Sequence, residues 1–321
     1  DEMMGHQYAN VQHRINQTGQ ILDKEITGLK HDYRNPTKQN NKIKAFGQKN
    51  EYRTNTAGVI DYDSNAYGVA YIHEDETVKM GNRSGWYAGI VTNQFKFKDI
   101  GKSKENQNVV KAGVFKTFSP KKDYNGALQW TIGADAFLGR NEIKRRYLVV
   151  NDVFDAKGTY NSYGAAIKTD LGYDIRMSER MHLRPYGAFK MEYGRFSDIK
   201  ESNGQMRLRV KGDDYYSIKP ELGVEFKFIQ PLAVRTKLSV GLTAAYENEL
   251  GKIDDVTNKG KVRYTTADWF DIRGEKEDRK GNGKFDLNIG VDNTRFGVTV
   301  NAGYDTKGKN VRGGIGFRAI Y

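Results

Sequence analysis

The 321-residue chain contains no cysteine and only 5 prolines. Without cysteine there is no disulfide and no thiolate metal site, a composition that suits a protein crossing an oxidising compartment. Long apolar runs are missing too. No stretch approaches the roughly 18 consecutive apolar residues of a transmembrane helix, so a helical span is excluded. A membrane β-barrel stays open, because a hydropathy average over alternating polar and apolar faces cancels. The chain starts at Asp1 rather than Met, so any signal peptide is expected upstream.

What is abundant points to strands. The chain has 35 Gly and 20 Tyr, a combination that favours strands and tight turns over helices. A formal charge of +12 raises nucleic-acid binding. However, the basic residues are scattered, 40 acids accompany them, and dense clusters such as Lys144-Arg145-Arg146 fall in expected loops. That distribution argues against a nucleic-acid partner.

Two regions differ in kind, dividing the chain into 1–40 and 41–321. From Tyr8 to Lys30, Val11, Ile15, Leu22, Ile26 and Leu29 recur at steps of three, four or seven, which is helical spacing. The rest of this segment is polar, including Arg14, Asp23, Lys24 and Glu25. Gly19 and Gly28 each weaken it by about 1 kcal/mol relative to Ala. Such a helix is marginal alone in water and wants a polar enclosure, or it is a linker.

From about Asn41 the period is two. The cleanest runs are 163–177, 181–193, 218–228, 234–246, 285–291 and 296–304, and no apolar-face position in any of them carries a charge. In the first run Tyr163, Ile167, Leu171 and Ile175 share one face, while Lys168, Asp170, Asp174 and Arg176 share the other. A soluble sheet with one wet face gives this pattern, and so does a barrel with a lipid face and a polar lumen. Length and aromatic placement favour the barrel. Four of the runs reach the length of a tilted membrane strand, and Tyr163, Tyr173, Tyr193, Tyr246 and Tyr304 sit near the ends of apolar faces, as interfacial girdles do.

Weaker alternation near 41–52, 65–74, 86–98, 108–118 and 128–138, with 310–321 at the end, brings the count to twelve antiparallel transmembrane strands. Segments 119–126, 178–180, 229–233 and 293–295 read as short periplasmic turns, and 141–160, 197–214 and 248–283 as long external loops. Residues 261–272 fit a hairpin inside the last loop better than a thirteenth strand. Pro185 and Pro220 are expected near strand starts, where a missing donor is tolerated. The inward phase holds Asp170, Arg184, Lys190, Glu192, Glu221, Arg235 and Arg318, with glycines such as Gly133, Gly164, Gly172, Gly223 and Gly316 that clear space for a helix or ease curvature.

A polar helix before twelve strands, "LRPYGAFKMEYGRF" (183–196), "VGLTAAYENELG" (240–251) and the closing "GFRAIY" (316–321) together resemble the C-terminal translocator domain of monomeric autotransporters, the type Va secretion proteins. The resemblance covers nearly all of Tyr8 to Tyr321. It implies an all-β fold, a 12-stranded barrel with the N-terminal helix in its pore, in the outer membrane of a Gram-negative bacterium. It implies a monomer that meets outer-membrane lipid, periplasmic chaperones, the barrel-assembly machinery and its own passenger, an adhesin carried to the cell surface. It also implies that Gly316, Phe317 and Tyr321 belong to a terminal insertion signal. Some relatives cut themselves between two adjacent helix asparagines. Here the pair is Asn40 and Asn41, past the helix, so self-cleavage is not expected.

Catalytic signals are thin. The histidines His6, His13, His31, His73 and His182 accompany neither a G-x-S-x-G elbow nor an H-E-x-x-H motif. "DYDSN" (61–65) and "DRKGNGKFD" (278–286) are incomplete as calcium loops. No enzyme activity, cofactor or metal is expected. A passive porin or a barrel enzyme without a passenger is the alternative.

Overall fold

A backbone N–H or C=O exposed to hydrocarbon has no water to bond, so strands can cross a membrane only as a sheet closed on itself. The computed structural model describes residues 4–31, 39–76, 82–204, 206–276, 280–293 and 295–319, and it closes such a sheet. The strands are β1 (Gln39–Tyr52), β2 (Tyr62–Glu76), β3 (Arg83–Phe97), β4 (Lys104–Asp123), β5 (Gly126–Val149), β6 (Asp152–Arg176), β7 (Met181–Phe196), β8 (Asp214–Ala233), β9 (Thr236–Asn248), β10 (Gly281–Asp292), β11 (Phe296–Asp305) and β12 (Asn310–Ala319). Each pairs antiparallel with its neighbours in sequence. The seam closes where β12 returns to β1, in register from Asn41 opposite Ala319 to Lys49 opposite Val311.

The faces are inside-out relative to a soluble protein. Outward residues such as Ile167, Leu171, Leu222, Val300 and Phe317 are exposed, while Lys111, Arg145 and Arg318 are at most 2% exposed on the inward side. Tyr163, Tyr193, Tyr246 and Tyr304 are exposed on the outer face. This arrangement matches lipid outside and a polar lumen within.

The helix α1 (Val11–His31) runs inside the barrel, preceded by a short 3₁₀ turn at His6–Tyr8. Its apolar stripe, Val11, Ile15, Ile21, Leu22, Ile26 and Leu29, is fully buried in one cluster with Phe46, Ala70, Tyr87, Val91 and Val109 of β1–β4. The helix therefore leans on one wall.

The glycines do something other than expected. A Cβ on Gly164 would lie 2.5 Å from the Phe137 ring, and one on Gly113 would lie 2.5 Å from the Tyr87 ring. Arg184 fills the space at Gly172 and Tyr186 that at Gly223. These glycines make room for side chains of the barrel wall itself. Among the glycines named above, Gly316 is the one that approaches α1, with its added Cβ 4.0 Å from Leu29 Cδ2.

Three boundaries also differ. Segment 141–160 is not a loose loop, because β5 and β6 pair continuously up to Val149 opposite Asp152. Beyond the lipid the in–out alternation keeps its phase while the chemistry of the faces inverts: Ile143, Tyr147, Ala156 and Tyr160 are buried inward, whereas Lys144, Arg146 and Asp155 point to water. A search for apolar outward faces misses such strands. β9 begins at Thr236, so Val234 and Arg235 form the turn before it, Arg235 in the left-handed region at φ 62°. Pro220 lies deeper than expected, since β8 starts at Asp214.

Residues 261–272 are the expected hairpin rather than a barrel strand. Thr257–Val262 pairs with Phe270–Arg273 and, across loops, with Leu208–Val210, which pairs with Ile199–Lys200. This four-stranded lid covers the outer mouth. "DYDSN" runs into β2. The other calcium-like segment lies partly outside the described residues, among which no cluster of three or more His, Asp or Glu is placed to hold a metal.

Filling a glycine slot should break the wall. Gly164→Val drives atoms into the Phe137 ring and is expected to lower the heat-modifiable, folded fraction sharply on unboiled gels. Gly241→Ala, whose nearest neighbour is 3.8 Å away, should migrate as the parent does.

Candidate functional site

The lumen is polar because its residues alternate with a lipid-facing set, and a charge enclosed there costs several kcal/mol unless it is paired. Helix and wall pair each other. Arg14 Nε donates to Glu105 Oε1 at 2.7 Å, both side chains being buried. Glu105 also accepts the Tyr160 hydroxyl at 2.8 Å, and the Arg14 guanidinium sits 4.9 Å from the Phe97 ring. Lys24 reaches Asp305 at 2.7 Å, and Glu25 reaches Lys44 at 2.6 Å. Lys42 Nζ donates to the Leu29 carbonyl at 2.8 Å, capping an unsatisfied acceptor at the negative end of the helix.

Asp23 is the centre of the arrangement. Lys111 lies 2.8 Å from it and Lys168 2.7 Å, and Lys190 is a third direct partner. Lys168 also bonds Asp135 at 2.8 Å, and Lys190 bonds Glu192 at 3.2 Å. Glu192 in turn accepts from Asn16 Nδ2 at 2.7 Å and the Tyr215 hydroxyl at 2.9 Å. One helix carboxylate thus ties β4, β6 and β7 together through three ammonium groups.

The other inward residues bond within the wall. Arg184 pairs with Asp170 and, at 3.2 Å, with Glu225. Glu221 pairs with Lys284 at 2.8 Å, and Arg318 with Asp292 at 2.8 Å. Gly133 borders a cavity of about 170 Å³ left between α1 and the wall of β2–β10, with Lys168, Arg184, Glu221 and Lys284 on its sides. Arg235, read as lumen-lining, stands exposed at the β8–β9 turn, because the strand starts one residue later. Asn40 and Asn41 lie in β1. Gly316 faces the lumen and Phe317 faces out, 52% exposed, while Tyr321 lies outside the described residues.

The lid holds the outer end of the helix. The Tyr8 hydroxyl donates to Glu201 Oε2 at 2.7 Å, and Arg145 grips the same carboxylate through Nε at 2.9 Å and Nη2 at 2.7 Å. Burial, with the adjacent carboxylate second, pushes the Tyr8 pKa well up, so the hydroxyl remains a donor. Asn258 Nδ2 donates to the Tyr8 carbonyl at 2.8 Å, and Gln12 Nε2 donates to Asn258 Oδ1 at 2.6 Å. Gly5 adopts φ 75°, and a Cβ there would lie 2.5 Å from Leu208 Cδ1, so the chain threads beneath the lid only with glycine. Sequence reasoning missed Tyr8, Arg145, Glu201 and Asn258, whose pairings span up to 250 positions. It also passed over Lys111 and Asp305. For these two a signal existed, a charge in the inward phase.

Twelve strands, an apolar outer surface, exposed tyrosines and a charged lumen define an outer-membrane-type β-barrel. The chain belongs to the autotransporter β-domain family, whose model (Autotransporter beta-domain) matches residues 42–303, and proteins of this kind lie in the outer membrane of Gram-negative bacteria. The fold is similar to the translocator domain of the autotransporter NalP from Neisseria meningitidis, with TM-score 0.68, 12% identity and 96% of each chain covered. It is also similar to the β-domain of the Bordetella autotransporter BrkA, with TM-score 0.62, 13% identity, and 89% of this chain and 100% of that one covered. The transport unit of AIDA-I from Escherichia coli gives TM-score 0.59 at 12% identity, covering 95% and 98%. No curated protein sequence matches the chain.

Removing the central carboxylate should loosen the helix. Asp23→Ala leaves three lysines facing one another, a loss of about 3–5 kcal/mol for a broken buried pair. Amide exchange within residues 11–31 is expected to speed by about 100-fold or more while the barrel strands keep their protection.

Proposed function

We propose that the chain is the translocator of a secreted protein: it carries an N-terminal passenger across the outer membrane, then anchors it at the surface with α1 as a plug. The observation that carries this reading is the direction of the helix. β1 starts and β12 ends at the side of the short turns, the periplasmic side, and α1 leads back from there to the lid, placing Gln7 and Tyr8 among the external loops. A passenger attached upstream would emerge on the outside.

The paired charges support a plug that forms after export, since extended passenger segments could not satisfy Glu105, Lys111 and Asp305 in turn. The passenger is proposed to be an adhesin, which the upstream sequence would test directly: long β-helical repeats fit the reading, and a compact enzyme domain does not. Insertion is assigned to the barrel-assembly machinery, aided by periplasmic chaperones, reading Gly316 and Phe317 of the closing strand together with Tyr321.

Deleting residues 1–31 should raise single-channel conductance severalfold in planar bilayers, and unchanged conductance would remove the plug from the account. Tyr321→Asp, or loss of residues 316–321, is expected to lower the amount of folded barrel in outer membranes. Normal levels of heat-modifiable protein would count against a terminal signal.

A further inference from the structure

The lid has two faces of opposite character. Ile199, Leu208, Val210 and Ile272 are buried toward the pore mouth. On the other face the pairing sets Arg209 directly opposite both Lys200 and Lys261. In the next row Lys211 lies beside Lys259, its N–H donating to the Lys259 carbonyl at 2.9 Å. On the other side of the Arg209 row, Arg263 N–H donates to the Arg207 carbonyl at 2.7 Å.

Like charges directly opposite one another destabilise a sheet. A lid of strands two to six residues long has little to offset that cost. Acids neutralise part of the face: Arg209 bonds Asp198 at 2.8 Å, and Lys259 bonds Asp271. The Arg209 bond and the Gly212 N–H hold the Asp198 carboxyl below the usual carboxylate range. Lys200, Lys211 and Lys261 make no ion pair among the described residues. Aromatic rings lie among the cations. Trp269, 40% exposed, has the Arg209 guanidinium 5.5 Å from its ring, and Tyr264, 74% exposed, has Arg207 and Arg263 each at 4.8 Å.

We propose that this outward face of the lid binds an extended anionic polysaccharide, a sulfated or uronate-rich chain lying across the strands. Strands stand about 4.8 Å apart, so each row of cations is a line at the charge spacing of a linear polyanion. An isolated phosphate headgroup calls for an enclosing pocket instead. The face is also turned away from the pore and stands on the external side of the barrel. Trp269 and Tyr264 offer flat apolar surfaces on which sugar rings stack.

The test uses the full chain folded in detergent, with heparin as probe in a titration at several salt concentrations. The Lys200→Ala/Arg209→Ala/Lys261→Ala variant is expected to lose about tenfold or more in affinity and to show a flatter salt dependence. Lys200→Gln/Lys261→Gln, which leaves the Asp198 contact intact, should show an intermediate loss. Trp269→Ala should weaken binding without changing the salt slope. Lys98→Ala/Lys144→Ala, off the lid, should bind as the parent does, with heat-modifiable migration confirming the fold of every variant. Parental affinity in the triple variant overturns the proposal. Tighter binding of lipopolysaccharide micelles than of heparin overturns it in favour of a lipid headgroup, and equal binding of single-stranded DNA overturns the choice of a glycan.

Discussion

Hydrocarbon offers no hydrogen bonds, so each backbone group of a chain that crosses it must find a partner within the protein. A sequence this polar meets that demand by a sheet without edges, and the seam from Asn41–Ala319 to Lys49–Val311 is where the demand is met. The rest of the molecule follows from closure. Side chains that alternate along a closed sheet point either to lipid or into a confined lumen, and the second group includes lysines, arginines and acids almost without exposure to water.

A confined charge is tolerable only with a counter-charge at hand. The helix and the wall are each other's solution: Arg14 answers Glu105, Glu25 answers Lys44, and Asp23 answers Lys111, Lys168 and Lys190. Its thin apolar stripe, too narrow to stabilise a helix in water, is wide enough to seat it on β1–β4. The lid completes the enclosure at the outer end through Tyr8, Arg145 and Glu201. An element that is marginal alone thus becomes well satisfied, because Arg14, Asn16, Thr18, Asp23, Lys24 and Glu25 each find a partner on the barrel wall.

Much of this was legible before any coordinates. The period-two runs gave twelve strands, their outward phase and the position of the closing strand, since a lipid face forbids charges and the prohibition leaves a regular mark. The helix was legible from its spacing, and Arg14, Asp23, Lys24 and Glu25 were legible as charges in need of partners. The outer halves of β5 and β6 were not, because above the bilayer the apolar residues turn inward and the outward ones meet water. Arg235 was misread for the opposite reason: alternation continued by one step into a turn places a side chain in the lumen that the backbone has already turned outward.

The amino-acid sequence by itself determined the architecture, because strand period, strand length and the exclusion of charge from lipid are local properties written along the chain. Tertiary structure alone decided which lysines share Asp23, that Gly113, Gly164 and Gly223 receive aromatic rings of the wall, and that two distant loops build one lid. Those choices depend on register, closure and the position of α1 on one wall, through contacts between residues separated by as many as 278 positions. No local pattern encodes a partner at that distance; only the closed barrel brings the two together.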